Sequence, residues 1–163
     1  MHNTIPNSVA GQVTLRDVID SDLPIFYEHQ LEPDAVQMAA FPARDRDAFF
    51  AHWNRIRSNP TVFNKPILLD EQVVGNIGSY EIEGEREIGY WLGKAYWGKG
   101  IATAALKQFL AQLTTRPLYA HVTKANAGSL RVLQKCGFVI TGEDTNTFKE
   151  GEPVEEYVLE LPA

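Results

Sequence analysis

The stretch Trp97-Gly98-Lys99-Gly100-Ile101-Ala102-Thr103 lies between an apolar strand-like run, Glu87 to Leu92, and an amphipathic helical run, Ile101 to Leu113. Glycines at a strand-to-helix junction expose successive backbone N–H groups at the positive end of a helix, where a phosphate or pyrophosphate is cradled. These residue types point to a phosphorylated cofactor, although the same glycines also suit an ordinary tight turn. Two familiar nucleotide motifs do not fit. A P-loop needs Gly-x-x-x-x-Gly-Lys-Ser/Thr, and here Lys99 precedes the second glycine. A dinucleotide fingerprint needs a third small residue where Thr103 stands and an acidic residue closing the following strand. That strand, Leu118 to Val122, runs instead into Thr123-Lys124.

A second segment follows that strand directly: Asn126-Ala127-Gly128-Ser129-Leu130-Arg131-Val132-Leu133-Gln134-Lys135-Cys136-Gly137-Phe138. Together with the glycine loop it resembles the GNAT superfamily of acetyl-CoA-dependent N-acetyltransferases. The loop of that family reads Arg/Gln-x-x-Gly-x-Gly/Ala, and its next helix reads Asn-x-x-Ala/Ser and ends in Lys-x-Gly-Phe. Gly100 and Ala102 match the last two fixed loop positions, Trp97 replaces the Arg or Gln, and Asn126, Ser129, Lys135, Gly137 and Phe138 fall in register. The wording Tyr96 to Thr103, with Gly89-Tyr90-Trp91 before it, resembles the RimJ/RimL-type branch.

The resemblance implies a role for each residue of the site. Acetyl-CoA is the expected co-substrate, anchored by the N–H groups of Gly98, Lys99, Gly100, Ile101 and Ala102, with the Thr103 hydroxyl adding a phosphate contact. Trp91 and Leu92 occupy the place where the family's strand splays from its neighbour and pairs with the pantetheine arm, so a backbone N–H there polarises the thioester oxygen. Glu87 matches the strand position of a catalytic glutamate. A carboxylate at the mouth of a partly apolar cleft can act as base through water, while its other reading is one charge in the solvated alternation Glu81, Glu83, Glu85, Glu87. Asn126 suits a helix N-cap and, in the family, also touches the pantetheine arm. Many members carry a tyrosine acid seven residues after this Asn, where this chain has Leu133. Ser129, the serine of the RimJ/RimL-like enzymes, is then the proton donor, or else a capping hydroxyl.

These groups need a scaffold. With 163 residues, 44% of them apolar, the chain is long enough for one buried core and short for two domains. The expectation is a frayed segment 1–10 followed by one domain, 11–163. No run approaches the about 18 apolar residues of a membrane helix, and Met1 to Gly11 lacks the basic and apolar regions of a signal peptide, so a cytoplasmic protein is expected. The single cysteine, Cys136, excludes an internal disulfide, and no Cys/His cluster has metal-ligand spacing, so no metal is expected. His121 stands out among scattered histidines because its strand leads toward Asn126. Fifteen basic residues against 21 acidic ones give a net charge of −6, which argues against nonspecific nucleic-acid binding and suits an amine partner.

Periodicity supplies the elements. Val13 to Arg16 reads as a strand, and Ser21 or Asp20 can cap a helix over 22–31 with Pro24 in its first turn. Phe49, Phe50, Trp53 and Ile56 make the apolar stripe of a helix from Arg44 to Arg57. Strands follow at Val62 to Leu69, Val73 to Ile82 and Glu87 to Leu92. After the cofactor helix come strand Leu118 to Val122, helix Gly128 to Cys136, and strands Phe138 to Gly142 and Val154 to Leu161. The order β-α-α-β-β-β-α-β-α-β-β predicts an α+β (mixed α/β) chain with a central, mostly antiparallel twisted sheet flanked by helices, the fold the resemblance implies. The expected reaction is acetyl transfer to a primary amine, a protein N-terminus or a small molecule, by direct attack in a ternary complex of a monomer or homodimer. A noncatalytic acyl-CoA sensor and a transferase for longer acyl groups remain open.

Overall fold

The computed structural model describes residues 11–34, 43–149 and 152–162; the expected frayed segment 1–10 lies outside them. The elements are β1 (Val13–Leu15), α1 (Leu23–Gln30), α2 (Arg46–Arg57), β2 (Phe63–Leu69), β3 (Gln72–Ile82), β4 (Glu85–Leu92), α3 (Ile101–Gln112), β5 (Leu118–Thr123), α4 (Ala127–Lys135), β6 (Val139–Lys149) and β7 (Glu152–Leu161). The expected order is the observed one. The strands form one seven-stranded sheet, β1-β2-β3-β4-β5-β7-β6.

Local chemistry explains the joints. The β2–β3 and β3–β4 hairpins turn through residue pairs that both have positive φ, Asp70 (49°) with Glu71 (70°) and Glu83 (51°) with Gly84 (84°). Two-residue turns of that hand match the natural twist of paired strands. Asp45 caps α2 by accepting from the Ala48 N–H at 2.8 Å. The start of α1 differs from expectation. Asp22, rather than Ser21 or Asp20, occupies the cap position, and its carboxylate turns away to take the Arg16 guanidinium (2.7 and 2.9 Å) and the Ile19 N–H (2.9 Å). Strand β6 also runs beyond the expected Gly142, because its partner β7 continues the ladder to the Lys149–Glu152 pair.

The main core lies between the sheet and α3/α4, where Ile77, Ile88, Leu106, Phe109, Leu118, Phe138 and Leu159 are each at most 4% exposed. A second core of Leu23, Phe26, Phe49 and Trp53 holds α1 against α2. Every other strand pair is antiparallel, but β4 and β5 run parallel and meet in register only at Glu87 and Tyr119. Beyond Glu87 the two strands separate, and the backbone edge of β4 from Gly89 to Leu92 is left without a strand partner. That opening positions the site.

Candidate active site

The opening continues into a cleft of about 560 Å³, bordered by Tyr90 to Leu92, by Tyr96 to Thr103, and by Asn126, Ser129, Arg131 and Lys135. At one end stands the N-terminus of α3. Gly98 (φ 71°) and Gly100 (φ 79°) both adopt the left-handed region that favours glycine. A Cβ added at Gly98 would meet no atom within 4 Å, so the surface there is open. The first intrahelical bond runs from Ala104 N–H to Gly100 O, and no side chain caps the helix. The N–H groups of Ile101, Ala102 and Thr103 therefore have no helical acceptor and end at the cleft. Lys99, Arg131 and Lys135 line the same space, a cationic group in an acidic chain. The arrangement suits a pyrophosphate.

Along the β4 edge the groups can be told apart by their pairing. The Gly93 N–H donates to Val74 O at 2.9 Å, so by strand alternation the Trp91 N–H also turns toward β3, while the polar groups of Tyr90 and Leu92 face the cleft. The Trp91 indole donates to the His29 carbonyl of α1 at 3.2 Å, on the other side of the sheet. Of the Trp91–Leu92 pair, Leu92 thus supplies the cleft-facing amide. Trp97, in place of the expected Arg or Gln, donates its indole N–H to Leu92 O at 3.1 Å and ties the glycine loop to β4.

Asn126 caps α4 by accepting the Ser129 N–H at 3.1 Å, which fixes Ser129 beside the opening. The Ser129 hydroxyl lies 2.8 Å from the Tyr90 hydroxyl, a pairing across 39 residues of sequence. Burial pushes the Tyr90 phenol up to about 12, although its bond to Ser129 pulls the other way. It therefore keeps its proton throughout the neutral range and can act only as a donor or relay there. Leu133, at the position where a tyrosine is common, is 3% exposed and belongs to the main core.

Glu87 is not a solvated member of an acidic edge. Its side chain is 5% exposed, and Oε1 lies 2.9 Å from Nδ1 of His121 on β5. A narrower cavity of about 130 Å³ passes between β4 and β5, bordered by Gly89, Tyr90, His121, Asn126, Ser129 and Glu156. It connects the face bearing Glu87 and His121 with the cleft bearing Ser129. An acid–base pair on one side and a hydroxyl pair on the other is an arrangement for moving protons around a bond exchange made between them.

The profile of the acetyltransferase (GNAT) domain matches residues 12–139. The chain belongs to the GNAT acetyltransferase family. A probable N-acetyltransferase of Bacillus subtilis is 36% identical over 77 residues, a match that spans 42% of each chain. Among solved structures, the spermidine N-acetyltransferase of Vibrio cholerae, solved with CoA and spermine, superposes with a TM-score of 0.81 at 18% identity, over 93% of this chain and 95% of that one. RimJ of Mycobacterium smegmatis, solved with CoA-disulfide, superposes at 0.77 with 23% identity, over 94% and 83%. These likenesses carry the GNAT fold.

Within this GNAT domain, all the residues singled out from the sequence border one continuous opening except Glu87, which reaches it through His121. Tyr90 was not singled out. Its alternation with Ile88 and Leu92 shows a strand residue facing the helices, but no local signal ties it to Ser129. Cys136 is half-buried with its thiol pushed up by that burial, as an unreactive packing residue should be. No helix among the described residues is long and apolar enough to cross a membrane.

Proposed function

We propose that this GNAT chain, acting through a single domain spanning 11–163, transfers the acetyl group of acetyl-CoA to a primary amine by direct attack within a ternary complex. The observation that carries the reading is the separation of β4 from β5 beyond Glu87, which leaves a cleft with an uncapped helix N-terminus at one end and, beside it, the narrower cavity bordered by Ser129 and by His121 of the acid–base pair. Acetyl-CoA supplies an activated acyl thioester. The residues fit it: the amides of α3's first turn with Lys99, Arg131 and Lys135 for the phosphates, and the cleft-facing amides of Tyr90 and Leu92 with Asn126 for the arm. Ser129 is the proton donor for the departing sulfur, with Tyr90 behind it. The base function belongs to Glu87 and the imidazole bonded to it.

The acceptor's chemistry is read from the same face. Tyr119 is pushed up by partial burial and by the charges of Glu160, Glu85 and Glu87, so carboxylates gather on the face that carries His121. Such a face favours a cationic acceptor, a class that includes polyamines, like the spermine bound to the Vibrio cholerae neighbour, and protein N-termini. The test is a screen of polyamines, amino acids and N-terminal peptides, each with acetyl-CoA, monitored by free-thiol release. Amine-dependent thiol release with formation of the N-acetyl product is expected. Binding of acetyl-CoA with no release for any amine would overturn the reading in favour of an acyl-CoA sensor.

A further inference from the structure

We infer that His121 is the residue that takes the proton from the acceptor amine, with Glu87 as its positioning residue; the inference rests on the acetyltransferase reading above. Glu87 has the charge for a base but not the access. Its side chain is 5% exposed and one oxygen is already engaged by His121, whose own side chain is 34% exposed and borders the cavity between β4 and β5. The path from an incoming amine to the carboxylate passes through the imidazole.

The tautomer follows from elementary donor–acceptor bookkeeping. A carboxylate only accepts, so in the neutral ring the 2.9 Å contact puts the proton on Nδ1 and leaves Nε2 with a lone pair. Nε2 stands 4.0 Å from Oδ2 of Asp144, too far for a hydrogen bond and in any case a meeting of acceptors. A group with several N–H donors, the ammonium of the substrate, satisfies both at once. The groups facing His121 are Tyr80 on β3, Glu85 and Glu87 on β4, Tyr119 on its own strand, Asp144 on β6 and Glu156 and Glu160 on β7. All are acids or phenols.

The proton balance is closed. The nitrogen enters as an ammonium and leaves as an amide, so it sheds two protons. The first goes to His121 Nε2 and from there to solvent. The neutral amine then forms the C–N bond as the C–S bond breaks; its second proton goes to His121 Nε2, freed by then, and on to solvent, while Ser129 gives its proton to the departing thiolate and regains one from solvent through Tyr90, so that one proton is released per turnover. No oxidant or further co-reactant is needed.

The experiment combines a spectroscopic and a kinetic readout. In the wild-type protein, long-range ¹⁵N–¹H correlation of the neutral His121 ring, recorded above its NMR midpoint, should show a proton on Nδ1 and a bare Nε2, with or without acetyl-CoA. The kcat/KM for an amine found by thiol release should fall as pH drops through the His121 midpoint measured by NMR. His121→Ala and the folded-state control His121→Gln should each lower kcat about 10²- to 10⁴-fold, with acetyl-CoA affinity by calorimetry unchanged within about twofold. Free imidazole should restore part of the His121→Ala rate, which a structural role would not allow. Glu87→Gln should move the NMR midpoint and the kinetic limb down together. A ring protonated on Nε2 alone, or His121 variants with wild-type rate and an unshifted limb, would overturn the assignment while leaving the acetyltransferase reading intact. A wild-type protein releasing no thiol with any amine would overturn both.

Discussion

At the scale of single residues the site consists of two hydrogen-bonded pairs, and each pair changes what its members can do. Ser129 alone is a poor acid, because a thiolate is a weaker base than the alkoxide that loss of the hydroxyl proton would leave. With Tyr90 at 2.8 Å, a proton lost by Ser129 is replaced from a phenol that burial keeps protonated up to about 12. Ser129→Ala is expected to lower kcat about 10²-fold or more with acetyl-CoA affinity unchanged. Tyr90→Phe should cost less, about tenfold, because water can replace the relay. Single-turnover measurements separate the cases: a Ser129→Ala enzyme with normal kcat and weakened cofactor binding would make the serine a capping residue only. The phenol also gives a stability signature. Its folded value lies above the ordinary value of about 10, so stability is complete below that value and declines as pH climbs from there toward about 12. Alkaline unfolding of Tyr90→Phe should begin at higher pH than that of wild type.

At the scale of elements, the N-terminus of α3 is built as an anion site, because glycines at φ 71° and 79° turn the chain so that unpaired amides end at the cleft. Lys99 is exposed on that loop, so reversing its charge does not disturb packing. Lys99→Glu should weaken acetyl-CoA binding about tenfold or more with Tm unchanged. Calorimetry giving wild-type affinity would move the phosphates off this loop. The α3 loop, the capping Asn126 and the alternation of strands and helices were legible in the sequence because each is local: a glycine pair, an N-cap, an apolar stripe. The pairs Tyr90–Ser129 and Glu87–His121 were not, because they join residues 39 and 34 apart and depend on where β4 leaves β5. Asp22 shows the same limit. As one of several acids before Leu23 it gives no sign of being 1% exposed and bonded to Arg16. Burial alone would push its carboxyl up, but the Arg16 guanidinium and the Ile19 N–H overcome this and hold it below the usual range. Its stabilisation is therefore present above the unfolded value of about 3.9 and lost as pH falls below it. Asp22→Asn should cost about 1.5–3 kcal/mol at neutral pH and flatten the acid limb of the stability curve, as read by urea unfolding across pH.

At the scale of the whole molecule, the sheet separates charge. Lys99, Arg131 and Lys135 gather on the cleft side, whereas Glu85, Glu87, Asp144, Glu156 and Glu160 share the face that carries His121. A net charge of −6 hides this polarity, which on the proposed reading would draw an anionic co-substrate and a cationic acceptor to opposite sides of the β4–β5 opening. Attraction of this kind acts over distances that salt controls: the Debye length shrinks from about 10 Å at 0.1 M to about 3 Å at 1 M. Raising salt across that range should increase KM for both substrates several-fold with kcat nearly constant, since the short hydrogen-bonded pairs at the centre are screened far less. Salt alone cannot say which face serves which substrate, but reversing one exposed charge on each can. Glu85→Lys, an exposed residue of the acidic face, should raise KM for the amine and leave that for acetyl-CoA unmoved, while Lys99→Glu should do the opposite. Each effect should fade at high salt. If Glu85→Lys leaves the amine KM at its wild-type value even at low salt, the acidic face has no part in recruiting the acceptor, and the carboxylates around His121 act only on the proton it receives.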